Sequence, residues 1–141
     1  MDLKNCKIYL VTDEKACNGK DFYSCIEEAI KGGVGIVQLR EKNISTKDFY
    51  EKALKVKEIC KSYEVLFIIN DRLDIAQAVE ADGVHLGQSD IPIEKAREIL
   101  KDKFLIGATA RNIEEAKKAE LLGADYIGSG AIFGTSTKDN A

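Results

Sequence analysis

Histidine and proline occur once each, and the four cysteines (Cys6, Cys17, Cys25 and Cys60) form no CxxC pair. A zinc site needs several Cys or His ligands at close spacing, so the zinc reading is poor. No apolar run approaches the roughly 18 residues a membrane helix needs. The opening residues MDLKNCKIYLVTDEK hold no apolar stretch after a basic start, so they do not read as a signal peptide. The expectation is therefore a cytoplasmic chain with reduced cysteines. The net charge is -3 with a pI near 5.3, which gives no bulk attraction to nucleic acid or anionic lipid. Any anion site must be a local cluster. VTDEKACNGKD, after the first apolar run, lacks the GxGxxG turn that a Rossmann dinucleotide domain places there.

What is present is a composition suited to folding. The chain has 141 residues, 45% hydrophobic and 32% charged, which is enough to bury a core and is not a disordered mixture. No Pro/Ser-rich linker interrupts it, so residues 1–141 read as a single domain. Short apolar runs alternate with longer amphipathic ones. KIYLVTD (7–13), GIVQLR (35–40), VLFIIN (65–70), GVHLG (83–87), FLIGATA (104–110) and DYIGSG (125–130) have the content of strands buried in a parallel sheet. Phe49, Ala53, Val56 and Cys60 share one helix face. Ser45 with Asp48, and Asn112 with Glu115, resemble capping boxes. Pro92 suits the first turn of another helix. Segments 21–31 and 72–79 are compatible with helices as well. The pattern is about six βα units. Ala81-Asp82-Gly83-Val84-His85-Leu86-Gly87 is echoed by Ala124-Asp125-Tyr126-Ile127-Gly128-Ser129-Gly130. Repetition two units apart favours a (β/α) barrel over a doubly wound sheet.

In barrels the chemistry sits at the C-terminal strand ends. Those ends carry Gln38, Arg40, Glu41 and Lys42; Asn70, Asp71 and Arg72; His85, Gln88 and Asp90; Thr109 and Arg111; then Thr135, Thr137 and Lys138. Each has a plainer reading. Asp71 and Asp90 suit helix N-caps. Arg40 and Lys42 suit a solvated turn paired with Glu41. His85 suits a hydrogen-bonded interior histidine, and Thr135 and Thr137 suit turns. Taken together they suggest chemistry. Two carboxylates at neighbouring strand ends suit Mg²⁺, with substrate oxygens completing its shell. Arg40, Lys42 and Lys138 would ring the same mouth with cations for phosphate oxygens. Gln38 and Asn70 offer amides for a polar heterocycle.

Four stretches carry a resemblance: Gln38-Leu39-Arg40-Glu41-Lys42, Ile69-Asn70-Asp71-Arg72, Ala81 through Asp90, and Ala131-Ile132-Phe133-Gly134-Thr135-Ser136-Thr137-Lys138. In this order and spacing the chain resembles the thiamine phosphate synthases along its whole length. The resemblance implies an α/β TIM (β/α)8-barrel. It also implies a Mg²⁺-dependent alkyl transferase of thiamine biosynthesis, joining 4-amino-2-methyl-5-hydroxymethylpyrimidine diphosphate to 4-methyl-5-(2-phosphoethyl)thiazole with release of pyrophosphate. Carried over, Gln38, Leu39, Arg40, Glu41 and Lys42 line the pyrimidine diphosphate site, with Arg40 and Lys42 on the diphosphate. Asn70 contacts the aminopyrimidine, and Asp71 and Asp90 hold Mg²⁺. Thr109 stands where serine is usual near the reacting pyrimidine. Thr135, Ser136 and Thr137 meet the thiazole phosphate, and Lys138 the leaving diphosphate. Arg40, Lys42, Thr109 and Lys138 are the expected catalytic residues. Gly134 stands where proline is common.

Barrels of this class run to about 200 residues or more. The expectation is thus the N-terminal portion of a barrel, about six units, partial or open, with strand edges able to self-associate. Two further readings stay open: an inactive piece that keeps only pyrimidine diphosphate and Mg²⁺ binding, and a thiazole tautomerase-like barrel. The expected partners are small phosphorylated heterocycles, with no nucleic acid and no membrane.

Overall fold

The structure, a computed structural model, describes residues 2–136. Six strands alternate with five helices: β1 (Tyr9–Val11), α1 (Phe22–Lys31), β2 (Ile36–Leu39), α2 (Thr46–Ser62), β3 (Leu66–Asn70), α3 (Leu73–Ala78), β4 (Gly83–Leu86), α4 (Ile93–Leu100), β5 (Leu105–Thr109), α5 (Ile113–Leu121) and β6 (Tyr126–Gly128). Two short 3-10 turns, Leu3–Asn5 and Glu14–Cys17, were not evident from periodicity. Every expected apolar run contains a strand. The helices start where polar side chains can take orphan backbone N–H groups. Asp21 accepts from Ser24 N, Ser45 from Asp48 N, and Asn112 from Glu115 N. The reciprocal half of the expected box is replaced at α5, where the Glu115 carboxylate accepts from Arg111 N at 2.7 Å. Pro92 is the N-cap of α4.

The sheet is parallel throughout, in the order β1-β2-β3-β4-β5-β6. Sequence neighbours are always sheet neighbours, which is barrel order; a doubly wound sheet reverses direction partway. The six strands form a partial barrel. It curls far enough for the hydroxyls of Tyr9 on β1 and Tyr126 on β6 to meet at 2.5 Å, although those strands do not pair.

The sheet has two different faces. Val37, Leu39, Phe67, Ile69, Val84, Leu86 and Ile106 point outward into one large core shared with the helices, including Phe22, Ile26, Phe49, Val56 and Leu100. The inner face begins with a small apolar floor at the N-terminal strand ends: Ile36, Leu66 and Ile68, with Leu3, Cys6, Tyr9 and Leu105 packed on it. Above that floor the inward residues are polar or glycine, apart from Val11 beside Gln38.

The sequence echo has a physical cause. Asp82 lies ahead of β4 and Asp125 ahead of β6. Each closes a two-point clamp on the preceding strand: Asp82 N donates to Phe67 O (2.9 Å) and its Oδ2 accepts from Phe67 N (2.7 Å). Asp125 N donates to Ile106 O (2.7 Å) and its Oδ2 accepts from Ile106 N (2.8 Å). One carboxylate thus continues the ladder where the strand has not yet begun, satisfying a backbone pair that would otherwise be buried unmade.

Candidate functional site

The C-terminal strand ends bring most of the expected residues to one rim. Gln38, at the end of β2, is buried and faces inward. Leu39, its neighbour, must face outward because strand side chains alternate; it is fully buried in the helix-side core. Its expected place lining the pyrimidine diphosphate site does not hold for its side chain. Arg40 follows, its backbone N donating to the hydroxyl of buried Thr12 at 3.1 Å. Thr12 N in turn donates to Gln38 O, so the turn that carries Arg40 is tied to the end of β1.

Glu41 also departs from expectation. Its carboxylate is ion-paired with Lys52 of α2, which also reaches Glu14 at 2.8 Å and lies over the Phe22 ring. Glu41 does not pair with Arg40 or Lys42 among the described residues, and its charge is spent fastening the loop to α2. A free carboxylate at a diphosphate site would repel its ligand, so this neutralisation suits an anion-binding rim.

Neither aspartate is a helix cap. The residue capping α3 is Arg72, with no side-chain cap, and α4 is capped by Pro92. Asp71 instead occupies the left-handed region at φ 66, uncommon for a non-glycine residue. Its N donates to His85 O at 2.8 Å, fixing it between β3 and β4. Asp90 folds back so that its Oδ2 accepts from Gly87 N at 2.7 Å. The two carboxylates face each other. Burial, then the hydrogen bond and charge of Asp90, push Asp71 up to about 6, against the opposing pull of Lys42 and Arg72. Lys42 Nζ lies 3.9 Å from Asp71 Oδ2. Among the described residues no cluster of three or more His, Cys, Asp or Glu could hold a metal. Two crowded carboxylates fit Mg²⁺, which takes one or two and fills its octahedron with water and substrate oxygens. A cation there would offset both the burial and the Asp90 repulsion that raise Asp71.

The remaining cations divide. Arg72 is held by Asp74 and Thr46, and Arg111 by Glu115. Arg40 has no carboxylate partner among the described residues. Thr109 ends β5, and its hydroxyl lies 3.0 Å from His85 Nε2. His85 is thus a hydrogen-bonded interior histidine, as its plainer reading anticipated. Asn70 Nδ2 donates to Gln38 Oε1 at 2.8 Å, and its own Oδ1 is a buried acceptor with no partner among the described residues. Thr135 and Ser136 lie exposed beyond β6; Thr137 and Lys138 lie outside the described residues.

Sequence reasoning missed Tyr9, Thr12, Lys52 and Tyr126. Tyr126 had one available signal: it occupies an inward position whose β5 partner is Gly107, a large residue facing a vacancy. Cys60 is buried, and burial pushes its thiol up to about 12, which suits packing and not nucleophilic attack. A cleft at the opposite end of the sheet, bounded by Arg97, Phe104, Gly123 and Asp125, is away from the rim. Arg97 spends its donors there on the carbonyls of Gly123, Lys101 and Phe104 and on Asp125. No helix among the described residues is long and apolar enough to cross a membrane.

Comparison with known proteins bears on the family and the fold. The family model for thiamine monophosphate synthase matches residues 8–141. A thiamine-phosphate synthase of Fusobacterium nucleatum is 93% identical over 141 residues, which is 100% of this chain and 68% of that protein. One from Clostridium acetobutylicum is 60% identical over 135 residues, covering 96% of this chain and 64% of its own length. A solved thiamine phosphate pyrophosphorylase from Pyrococcus furiosus superposes with a TM-score of 0.87 at 41% identity, covering 94% of this chain and 64% of that one. The chain therefore spans about two thirds of the length of the relatives it matches. On these matches, the chain belongs to the thiamine monophosphate synthase family.

Proposed function

We propose that this rim is the pyrimidine diphosphate site of a Mg²⁺-dependent thiamine-phosphate synthase. The reaction class is alkyl transfer from 4-amino-2-methyl-5-hydroxymethylpyrimidine diphosphate to 4-methyl-5-(2-phosphoethyl)thiazole. The observation that carries this reading is the pairing of two crowded carboxylates, Asp71 and Asp90, with two cations at one set of strand ends: Arg40, which has no carboxylate partner among the described residues, and Lys42, whose long 3.9 Å contact with Asp71 leaves it half exposed. A diphosphate with its divalent counter-ion satisfies both halves of that arrangement. Glu41 is already neutralised by Lys52 and does not oppose it.

In this reading Asp71 and Asp90 hold Mg²⁺, which when bound neutralises charge on the diphosphate. Arg40 and Lys42 take diphosphate oxygens, and their attraction grows as the C–O bond to the pyrimidine methylene breaks and charge collects on the departing pyrophosphate. Asn70 Oδ1 accepts from the exocyclic amine of the pyrimidine. The thiazole nitrogen supplies the electron pair for the new C–N bond. No proton must be removed from that nitrogen, which fits a site with a single histidine. Thr109 lies beside the reacting pyrimidine. Thr135, Ser136, Thr137 and Lys138 belong to the thiazole phosphate and leaving diphosphate side. The cytoplasm is the proposed location.

Pyrophosphate release with both substrates and MgCl2 tests the whole reading. Calorimetric binding of the pyrimidine diphosphate in MgCl2 tests the half that rests on the described residues. Asp71→Ala should abolish the Mg²⁺ dependence of both. Lys42→Ala should cost about 2–4 kcal/mol in transition-state energy. Normal Mg²⁺-dependent turnover by Asp71→Ala would overturn the metal assignment.

A further inference from the structure

The polar residues of the inner face form one continuous chain. Asn70 Nδ2 donates to Gln38 Oε1 (2.8 Å), and Gln38 Nε2 donates to Tyr9 Oη (2.8 Å). The Tyr9 and Tyr126 hydroxyls meet at 2.5 Å; Tyr126 Oη lies 3.2 Å from His85 Nδ1, and His85 Nε2 lies 3.0 Å from Thr109 Oγ1. All six strands contribute.

The backbone is shaped for this chain. Asn70, His85, Gly107 and Tyr126 form one row in register across β3, β4, β5 and β6. A Cβ on Gly107 would overlap the Tyr126 ring, so Tyr126 crosses β5 through the space glycine leaves. A Cβ on Gly128 would come within 3.0 Å of His85 Cε1. The rings of Tyr126 and His85 lie 5.6 Å apart, as do those of Tyr126 and Tyr9.

A hydroxyl has one hydrogen, so the chain has a direction. Gln38 spends its carbonyl on Asn70 and an amide hydrogen on Tyr9. For the Tyr9 hydrogen to find a partner in the chain it goes to Tyr126; Tyr126 then gives its own to His85 Nδ1, and His85 carries its proton on Nε2, facing Thr109. We propose that Tyr126 is a positioning residue: through this one-way chain it holds His85 as the Nε2–H tautomer, so that the site presents an acceptor at Asn70 Oδ1 and a donor at the Thr109 hydroxyl.

The same heavy atoms permit two other arrangements, both with His85 protonated on Nδ1: one with both amides turned over, the other with Tyr9 accepting from Gln38 and from Tyr126 at once. The atom left without a partner among the described residues decides between them. In the direction described it is a carbonyl oxygen, Asn70 Oδ1; in the others it would be an amide N–H or the Tyr9 phenol O–H, and an orphaned donor is the rarer case. Burial raises both tyrosines above their ordinary value, so both stay phenols and both can donate. The complementary pair of ends suits a heterocycle with an amino group and a ring nitrogen. That identification rests on the function proposed above; the direction of the chain does not.

The test uses the unliganded chain. Its one histidine makes a long-range ¹H–¹⁵N spectrum of the imidazole unambiguous. At a pH where the ring is neutral, Nε2 should be pyrrole-like and Nδ1 pyridine-like and hydrogen-bonded. An Nδ1–H ring overturns the proposal, and this wild-type spectrum decides it even if no variant folds. In Tyr126→Phe the Nδ1 resonance should move downfield as its donor is lost; an unchanged spectrum from a folded variant overturns the positioning role. Tyr9→Phe leaves the Tyr126 phenol in place and should shift Nδ1 less; the opposite ranking overturns the order of the chain. Failure of the proposed function would appear separately, as no pyrimidine diphosphate binding by a chain with the Nε2–H ring intact.

Discussion

The two faces of one sheet are built from alternate residues of the same strands, yet they follow different rules. On β2 and β3 the outward residues Val37, Leu39, Phe67 and Ile69 are aliphatic or aromatic and almost wholly buried. Above the apolar floor of Ile36, Leu66 and Ile68, the inward residues Gln38 and Asn70 are amides joined by a hydrogen bond. Outward burial is non-directional and tolerates any residue of the right size, whereas the inward set works only if each donor meets its acceptor. Stability therefore resides mainly on one face and recognition on the other.

The largest effect should come from the outer face. Phe67→Ala removes a fully buried ring in the middle of the helix-side core and should cost about 3–5 kcal/mol. Gln38→Leu, one strand away on the inner face, should cost far less stability but abolish pyrimidine diphosphate binding. Urea unfolding and calorimetry on the two variants check the contrast. Comparable stability losses would mean that the inner face is also a structural core.

The echoed aspartates come next. Asp82→Ala removes the charged acceptor of Phe67 N. Asp125→Ala does the same at Ile106 N and also loses the Arg97 ion pair. A hydrogen bond to a charged group contributes about 1.5–3 kcal/mol, so each substitution should cost an amount of that order, with Asp125 the larger. Equal losses would show that Arg97 adds nothing at that half-exposed position. Gly107→Ala should follow at about 1–3 kcal/mol, since its methyl overlaps the Tyr126 ring. Adding Tyr126→Leu should recover part of that loss, and a double-mutant cycle measures the coupling.

The outer face was legible in the sequence and much of the inner face was not, for a physical reason. Apolar runs bounded by Gly and Asp mark strands because burial acts locally on each residue, so all six strands could be read before folding. Helix starts were readable at Ser45 and Asn112 because a cap bonds three residues away. The candidate carboxylates and cations could also be read, since strand ends converge in any barrel. What could not be read was which polar group meets which. Tyr9 and Tyr126 are 117 residues apart, and only closure of the sheet brings their hydroxyls together. Glu41 read as part of the anion site because its partner Lys52 lies on a helix face that the motif does not include. Asp71 read equally well as a cap, and the difference lies in a left-handed backbone that one sequence does not announce.

The smallest effect is the one that tests whether the rim pays a stability cost for its chemistry. Asp71 titrates at about 6 in the folded chain against a usual 3.8. Its folded value is raised, so the folded state keeps the proton longer than the unfolded state does. Below the unfolded value both states are protonated and the contribution to stability is complete. As pH rises through that value the unfolded chain ionises first, and stability falls until the folded carboxyl has ionised near 6. Asp71 is partly open to solvent, which shrinks the effect by screening. Asp21, Asp74 and Glu115 are lowered by their hydrogen bonds and give slopes of the opposite sign, so the difference between wild type and Asp71→Asn is the quantity to follow. In chelated buffer between pH 4 and 7, the variant's advantage in melting temperature should grow with pH and level off above about 6. A difference that stays flat across the window would mean that neither burial nor Asp90 disfavours the Asp71 carboxylate in solution. The inner rim would then carry no destabilising charge for a cation to relieve, and the functional contrast between the two faces would lose its electrostatic part.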